Sequence, residues 1–274
     1  MRWLAAALAL FWAAPAAAHD PWVVYYADAV PPSALAGYRL AVLDADRHPA
    51  LAPLKAAGTV TLGYLSLGEV EDHRAHYEAV RDEGLLLLEN PVWRGSFMVD
   101  LRDPRWTRRV LDDLIPAILA RGFDGIFYDT LDNAATLESE DPAAHAGMVA
   151  AAVRLVLAIR QRFPRMPVMM NRGYDLLPAA LPAIDMLLGE SVYGTFDFGT
   201  SRYRRTEPAD YAWQVEKLRQ AKAARPALKV MTLDYWDPRD SAGIARIYAL
   251  QRGNGFHPYV ATIELDRVVP EPPP

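Results

Sequence analysis

The feature that most constrains this chain is a rhythm that runs through nearly all of it, in which short apolar runs rich in β-forming residues alternate with stretches of helical periodicity. Parallel strands need a long crossover between them, usually a helix, so the rhythm predicts a parallel sheet clothed in helices. Eight runs qualify: Trp22–Tyr26, Leu40–Leu43, Val60–Ser66, Gly125–Tyr128, Pro167–Met170, Asp185–Gly189, Val230–Leu233 and Tyr259–Ile263. Each is almost continuously apolar, the pattern of strands covered on both faces. Helices are read over Pro104–Arg121, Pro142–Phe163, Pro208–Ala224 and Ser241–Arg252. The first of these shows the signals clearly, with Asp103 as cap, Pro104 at the first position, and Val110, Leu114 and Ile118 on one face. A short run, Phe97–Val99, falls in the long connection between the third and fourth strands and is read as an insertion. Counted as a barrel strand, it would shift every later ordinal by one.

An open doubly wound sheet shares the rhythm, but the first run leads into Tyr25-Tyr26-Ala27-Asp28 where such a sheet carries its glycine-rich phosphate turn. Eight strands in a chain of 274 residues fit one (β/α)8 TIM barrel of about 250 residues. The expected organisation is a signal peptide over 1–18, an α/β barrel over 19–267, and a Pro-rich, disordered tail over 268–274. The leader reading rests on Arg2, an uncharged run from Trp3, and Ala16-Ala17-Ala18 at the cleavage position. Its apolar stretch is too short for a stable membrane span, although an uncleaved anchor is the alternative. The expectation is therefore a secreted or periplasmic protein without stable membrane insertion. With no cysteine, stability must come from an apolar core, and the 52% hydrophobic content supplies one. A formal charge of −5 disfavours nucleic acid and anionic lipid as partners and suits a neutral or cationic ligand.

Strand after strand ends in polar residues. Tyr26 and Asp28 follow the first, Asp44 the second, Ser66 and Glu69 the third, and Asp129 the fourth. Asn171 and Arg172 follow the fifth, Glu190 the sixth, Asp234 and Tyr235 the seventh, and Glu264 the eighth. In a barrel these ends converge on the face that carries active sites. Any one of the acids could be the cap of the next helix, and Asp129 could instead pair with Arg172. Glutamate is a poor cap, which makes Glu190 the more diagnostic. Strands four and six contribute to one side-chain layer, so Asp129 and Glu190 can face each other across the axis. Two facing carboxylates are what glycoside hydrolysis needs, about 5–5.5 Å apart for retention and more for inversion. Asp132, three residues beyond Asp129, is expected to support rather than react. Tyr26, Tyr64, Tyr193, Tyr235 and Trp236 lie near strand ends, where flat rings can stack on sugars. Trp93, Trp106 and Trp213 are assigned to ordinary packing.

Four motifs in this order, Gly63-Tyr64-Leu65-Ser66-Leu67-Gly68-Glu69-Val70, the segment Phe123 to Asp132, Asn171-Arg172-Gly173 and Gly189-Glu190-Ser191, resemble glycoside hydrolase family 114 and the related hydrolase domain of the Pel polysaccharide system. The resemblance runs from Trp22 to Leu265. It implies a retaining endo-α-1,4-polygalactosaminidase acting on a galactosamine or N-acetylgalactosamine polysaccharide, with Asp129 as nucleophile and Glu190 as acid/base. Tyr26, Asp44, Tyr64, Ser66, Glu69, Asn171, Arg172, Tyr193, Asp234 and Tyr235 are then the expected substrate contacts, and the acids among them suit an unacetylated, positively charged amino sugar. Glu190 should have a raised pKa while Asp129 stays ionised. The reading calls for no cofactor and no metal.

Two rivals stand beside it. Asp44, Asp46, His48, His73 and His76 could serve a metal-dependent hydrolase or polysaccharide deacetylase, although a solvated helix face explains His73 and His76 and no set has zinc spacing. A non-catalytic sugar-binding barrel in polysaccharide export would bind without turnover, and the presence of both Asp129 and Glu190 argues against it. No serine sits in a nucleophile elbow.

Overall fold

The computed structural model describes residues 20–273, so the signal peptide read over 1–18 lies outside the described residues. Eight parallel strands form one sheet in chain order: β1 (Trp22–Tyr25), β2 (Leu40–Leu43), β3 (Val60–Ser66), β4 (Gly125–Asp129), β5 (Val168–Asn171), β6 (Met186–Glu190), β7 (Lys229–Tyr235) and β8 (His257–Ala261). The sheet curls until its edges meet: the backbone N–H of Tyr26 donates to the Leu265 carbonyl at 2.7 Å, and the Trp22 indole donates to the His257 carbonyl at 3.0 Å. The fold is the expected TIM barrel. Register pairs Ser66 with Asp129 and Leu233 with Glu190, which sets the polar ends at one level.

The strands are buried on both faces because aliphatic residues inside the barrel are matched by others beneath the helices. Tyr128 points outward into that second layer, and the helix Met148–Arg162 covers it with Ala151, Ala152, Leu155, Val156 and Ile159. Boundaries of β1 to β6 differ from the sequence reading by a residue or so. β7 runs two residues further than expected, to Tyr235, and β8 begins and ends two residues earlier, leaving Glu264 in the loop beyond it.

Two helices depart from the reading for identifiable reasons. The helix from Pro104 widens into a π-helical turn over Val110–Leu114 just ahead of Pro116, whose ring and missing N–H disturb the regular ladder. The single helix read over Pro142–Phe163 is two, Pro142–His145 and Met148–Arg162, because Gly147 turns left-handed (φ 86°) between them. Two excursions leave the barrel rim. Glu69–Glu71, Leu86–Glu89 and Ser96–Val99 form an antiparallel sheet with the last strand central, so the expected insertion is one. Gly194–Asp197 and Arg202–Arg205 form a hairpin between β6 and β7. Of the tail read as disordered over 268–274, the described part lies on the barrel: Val269 is buried, its N–H donates to the Tyr259 hydroxyl at 3.2 Å, and Glu271 pairs with Arg252.

Candidate active site

A cleft of about 690 Å³ opens at the carboxyl ends of the strands. Its floor follows from strand alternation. Phe127 and Asp129 on β4, Leu188 and Glu190 on β6, and Leu233 and Tyr235 on β7 all face it, while the residues between them point outward.

Asp129 and Glu190 are joined by one side chain. The amide nitrogen of Asn171, from β5 between them, donates to Asp129 Oδ1 at 2.8 Å and to Glu190 Oε2 at 2.6 Å. The amide must point this way, since the opposite flip would set its carbonyl against two carboxylates. Two oxygens bonded to one nitrogen stand no farther apart than the sum of those lengths. Asp129 Oδ1 also accepts the Thr130 N–H at 2.7 Å, and Glu190 Oε1 accepts the Tyr235 hydroxyl at 2.5 Å. Asp129 thus neither caps a helix nor pairs with Arg172, which sits 3.9 Å from Asp132 and donates to the Glu190 carbonyl at 3.0 Å.

Burial and the adjacent Glu190 carboxylate push Asp129 up to about 7, against weaker stabilisation by Asn171. Asp129 is thus raised, where the sequence reading expects it to stay ionised. Near neutral pH Asp129 is therefore poised between its protonated and ionised forms. Burial, and then the Asp129 charge, hold the Tyr26 and Tyr64 hydroxyls well above their usual range, so both are neutral donors. These rings meet edge to face at 5.2 Å.

Each of the strand ends that carry Asp129, Asn171 and Glu190 is followed by a non-glycine residue in the left-handed region: Thr130 (φ 65°), Arg172 (φ 47°) and Ser191 (φ 53°). That conformation is costly for such residues and is found where a site imposes it.

Of the expected substrate contacts, Tyr26, Tyr64, Glu69, Asn171, Arg172 and Tyr235 line the cleft, as does Glu264. Glu69 is buried and accepts from Asn90 at 2.7 Å, from Asn133, and from Ser96. The other four do not reach it. Asp44 is bound to Arg74 at 2.9 Å and accepts two backbone N–H groups of its own turn. Ser66 contacts Thr130 Oγ1 at 2.9 Å. Asp234 faces outward, where it accepts from the Tyr193 and Gly194 N–H groups and from Gln251. Tyr193 packs edge-on against Tyr211, and Trp236 donates to Asp240, which caps the helix starting at Ser241.

The sequence reading missed what the β3–β4 excursion adds. Arg74 lies 5.6 Å from the Tyr64 ring and is clamped by Asp44, Asp46 and Glu71. Trp93, assigned to packing, is half exposed on the cleft wall and touches Phe198 of the opposite hairpin. Trp106 does pack in the core. The residues of the metal reading form no ligand set among the described residues: Arg74 holds both Asp44 and Asp46, His48 meets Phe123 edge to face, and His76 lies by Trp106 with burial holding it down at about 4.

Comparison with known proteins agrees with this geometry. The sequence model of glycoside-hydrolase family GH114 matches residues 2–272. An uncharacterised protein of Deinococcus radiodurans is 28% identical over 220 residues, 78% of this chain and 68% of its own length. The protein MJ1477 of Methanocaldococcus jannaschii is 33% identical over 85 residues, 29% of this chain and 23% of that protein. The solved glycoside hydrolase domain of PelA from Pseudomonas aeruginosa superposes with a TM-score of 0.81 at 24% identity, covering 92% of this chain and 98% of that one. Ega3 from Aspergillus fumigatus, solved in complex with galactosamine, gives 0.68 at 15% identity, covering 92% and 95%. At such identities the structural likenesses speak for the fold, whereas the family match spans nearly the whole chain. On that match, and with a barrel whose rim presents two linked carboxyl groups, the chain belongs to glycoside hydrolase family GH114.

Proposed function

We propose that the protein is a retaining, endo-acting hydrolase of α-1,4-linked polysaccharides built from galactosamine and N-acetylgalactosamine. The observation that carries the reading is the Asn171 nitrogen bridging Asp129 and Glu190 at 2.8 and 2.6 Å. It brings the carboxyl groups within the separation of about 5–5.5 Å at which one can attack the sugar directly, with no room for an intervening water. The galactosamine bound in Ega3 and the PelA likeness support the choice of sugar.

In this reaction Asp129 attacks the anomeric carbon while Glu190 gives its proton to the departing glycosidic oxygen. A glycosyl ester forms on Asp129 as the C–O bond to the leaving chain breaks. Glu190 then takes a proton from water, the water oxygen bonds to the same carbon, and the ester breaks to free the product and regenerate both groups. A positively charged amino sugar favours the ionised form of Asp129, the form that attacks. Tyr26, Tyr64, Glu69, Arg172 and Tyr235 serve as substrate contacts. The cleft's acids, Glu69, Glu71, Asp72, Asp132 and Glu264 beside the pair, suit such a cationic polymer. Export through the amino-terminal leader would bring the enzyme to an extracellular or periplasmic polysaccharide.

The test is mass spectrometry of products from acetylated and deacetylated polygalactosamine, with NMR of the first anomer released. Internal cleavage with α-product first is expected, and Asp129→Asn and Glu190→Gln should each abolish it while remaining folded. Full activity in either variant refutes the residue assignment, and β-product first refutes retention.

A further inference from the structure

A second cavity, of about 330 Å³, adjoins the cleft beyond the Arg172–Asp132 pair, between the loops that follow β5 and β6 and the start of the helix Pro208–Ala224. We propose, building on the reading of the enzyme as a galactosamine-polymer hydrolase, that this cavity is a second binding site for the same chain and takes an amino-sugar unit with a free amine against Trp213.

Continuity is the first argument. Asp132 and Arg172 line both cavities, so a polymer lying across Asp129 and Glu190 needs only to pass over this ion pair to enter the second. The pair is itself 3.9 Å apart and more than a third exposed, a low sill rather than a wall.

Trp213 is the second. It is 50% exposed, so the indole gains little from its own burial. It is nevertheless fixed: the Tyr174 ring stands at 84° to it at 5.4 Å, and the Tyr174 hydroxyl is tied down by donating to Gln214 Oε1 at 3.1 Å. A rigid, exposed ring beside a cavity is a platform for a sugar face at small entropic cost. Lys217 Nζ, one turn on in the same helix, lies 5.7 Å from its centroid, within the range of a cation–π contact.

Charge selects the kind of sugar. The cavity's two guanidinium groups are matched, Arg172 by Asp132 and Arg204 by Glu207 at 3.2 Å. Asp175 and Asp210 have no ion-pair partner among the described residues, and both face the same space as the indole. A neutral N-acetylated unit could use the ring alone, whereas an ammonium group uses the ring and both carboxylates. The site therefore favours stretches of polymer that have lost their acetyl groups.

The experiment compares wild type and Trp213→Ala on deacetylated polygalactosamine and on the shortest oligosaccharide the enzyme cleaves. A doubly substituted Asp175→Asn, Asp210→Asn variant, whose indole is intact, is compared on deacetylated and acetylated polymer. Trp213→Ala should lower the ratio of polymer to oligosaccharide kcat/KM about tenfold, the size of one lost aromatic platform. The double variant should lose its preference for deacetylated polymer by a similar factor, with a weaker dependence on salt. An unchanged ratio in Trp213→Ala, or an unchanged acetylation preference in the double variant, overturns the second site and leaves the activity reading standing. No hydrolysis of either polymer by the wild type overturns both.

Discussion

Asp129→Asn should stabilise the protein, and by an amount that grows with pH. In the folded state burial and Glu190 raise this carboxyl from 3.8 to about 7. The folded form therefore keeps a proton that the unfolded chain has already lost, and the stability tied to it is complete below about 4 and disappears as pH rises through about 7. At about 1.4 kcal/mol for each tenfold change in proton affinity, this rise amounts to about 4 kcal/mol of differential stability above pH 7. Asparagine has nothing to ionise, and its Oδ1 can still accept the bonds from Thr130 and Asn171. Urea unfolding of both proteins from about pH 4 to 8 provides the assay. The variant-minus-wild-type difference should be small at the acid end and approach about 4 kcal/mol at the other, on the order of 10 °C in Tm for a domain of this size. Taking the difference cancels groups that do not interact with Asp129, such as Asp234, which burial raises, and His76, which burial lowers. A difference that stays flat across this range would show that the site does not disfavour the Asp129 charge.

Other outcomes follow from the same contacts. Because Asp129, the proposed nucleophile, must be ionised to attack and is held up at about 7, kcat/KM should rise as pH climbs towards 7; a profile already level below pH 5 contradicts the raised carboxyl. Gly68→Ala should cut kcat about a hundredfold, since its Cβ would lie 2.2 Å from the Thr130 carbonyl oxygen and displace the segment that carries Asp129; steady-state kinetics on the purified variant decides it. Asp234→Ala should cost about 3–5 kcal/mol in denaturant unfolding, by stranding the Tyr193 and Gly194 N–H groups and the Gln251 amide, while an exposed acid at that position would cost almost nothing.

The barrel and its central pair are legible in the sequence because both rest on simple periodicities: eight apolar runs, and acids at the ends of strands four and six. The errors have equally definite causes. Asp234 reads as a loop residue when β7 is ended at Leu233; the strand in fact runs on to Tyr235, and alternation then turns Tyr235 inward and Asp234 outward. The strand end at Asp44 carries no hint that Arg74, thirty residues on, occupies its carboxylate. Arg74 and Trp93 belong to an excursion whose path over the cleft is set by its own antiparallel sheet, so no barrel register predicts them. Gly147 could have been found, because a glycine within an otherwise helical pattern is a known break point.

The least legible feature is also the one that positions the chemistry. Threonine, arginine and serine carry no signal for left-handed backbone, yet Thr130, Arg172 and Ser191 adopt it directly after Asp129, Asn171 and Glu190. The cost, of the order of 1–3 kcal/mol each, must be offset locally. The backbone shows how: Arg172 N–H still donates to the Leu188 carbonyl and Ser191 N–H to that of Leu233, both at 2.8 Å, so each residue turns while tied to the neighbouring strand. Thr130 is held by its hydroxyl, which donates to the Asp129 carbonyl at 2.7 Å and accepts from the Gly68 N–H at 2.8 Å. Asp129, Asn171 and Glu190 are thus the last residues of their strands, standing just before the chain turns off the rim. A carboxylate on a mobile loop would sample many separations from its partner, whereas one on the last rung has its position set by the sheet, and a hydrogen-bonded amide can then span the remaining gap without itself having to pull the pair together.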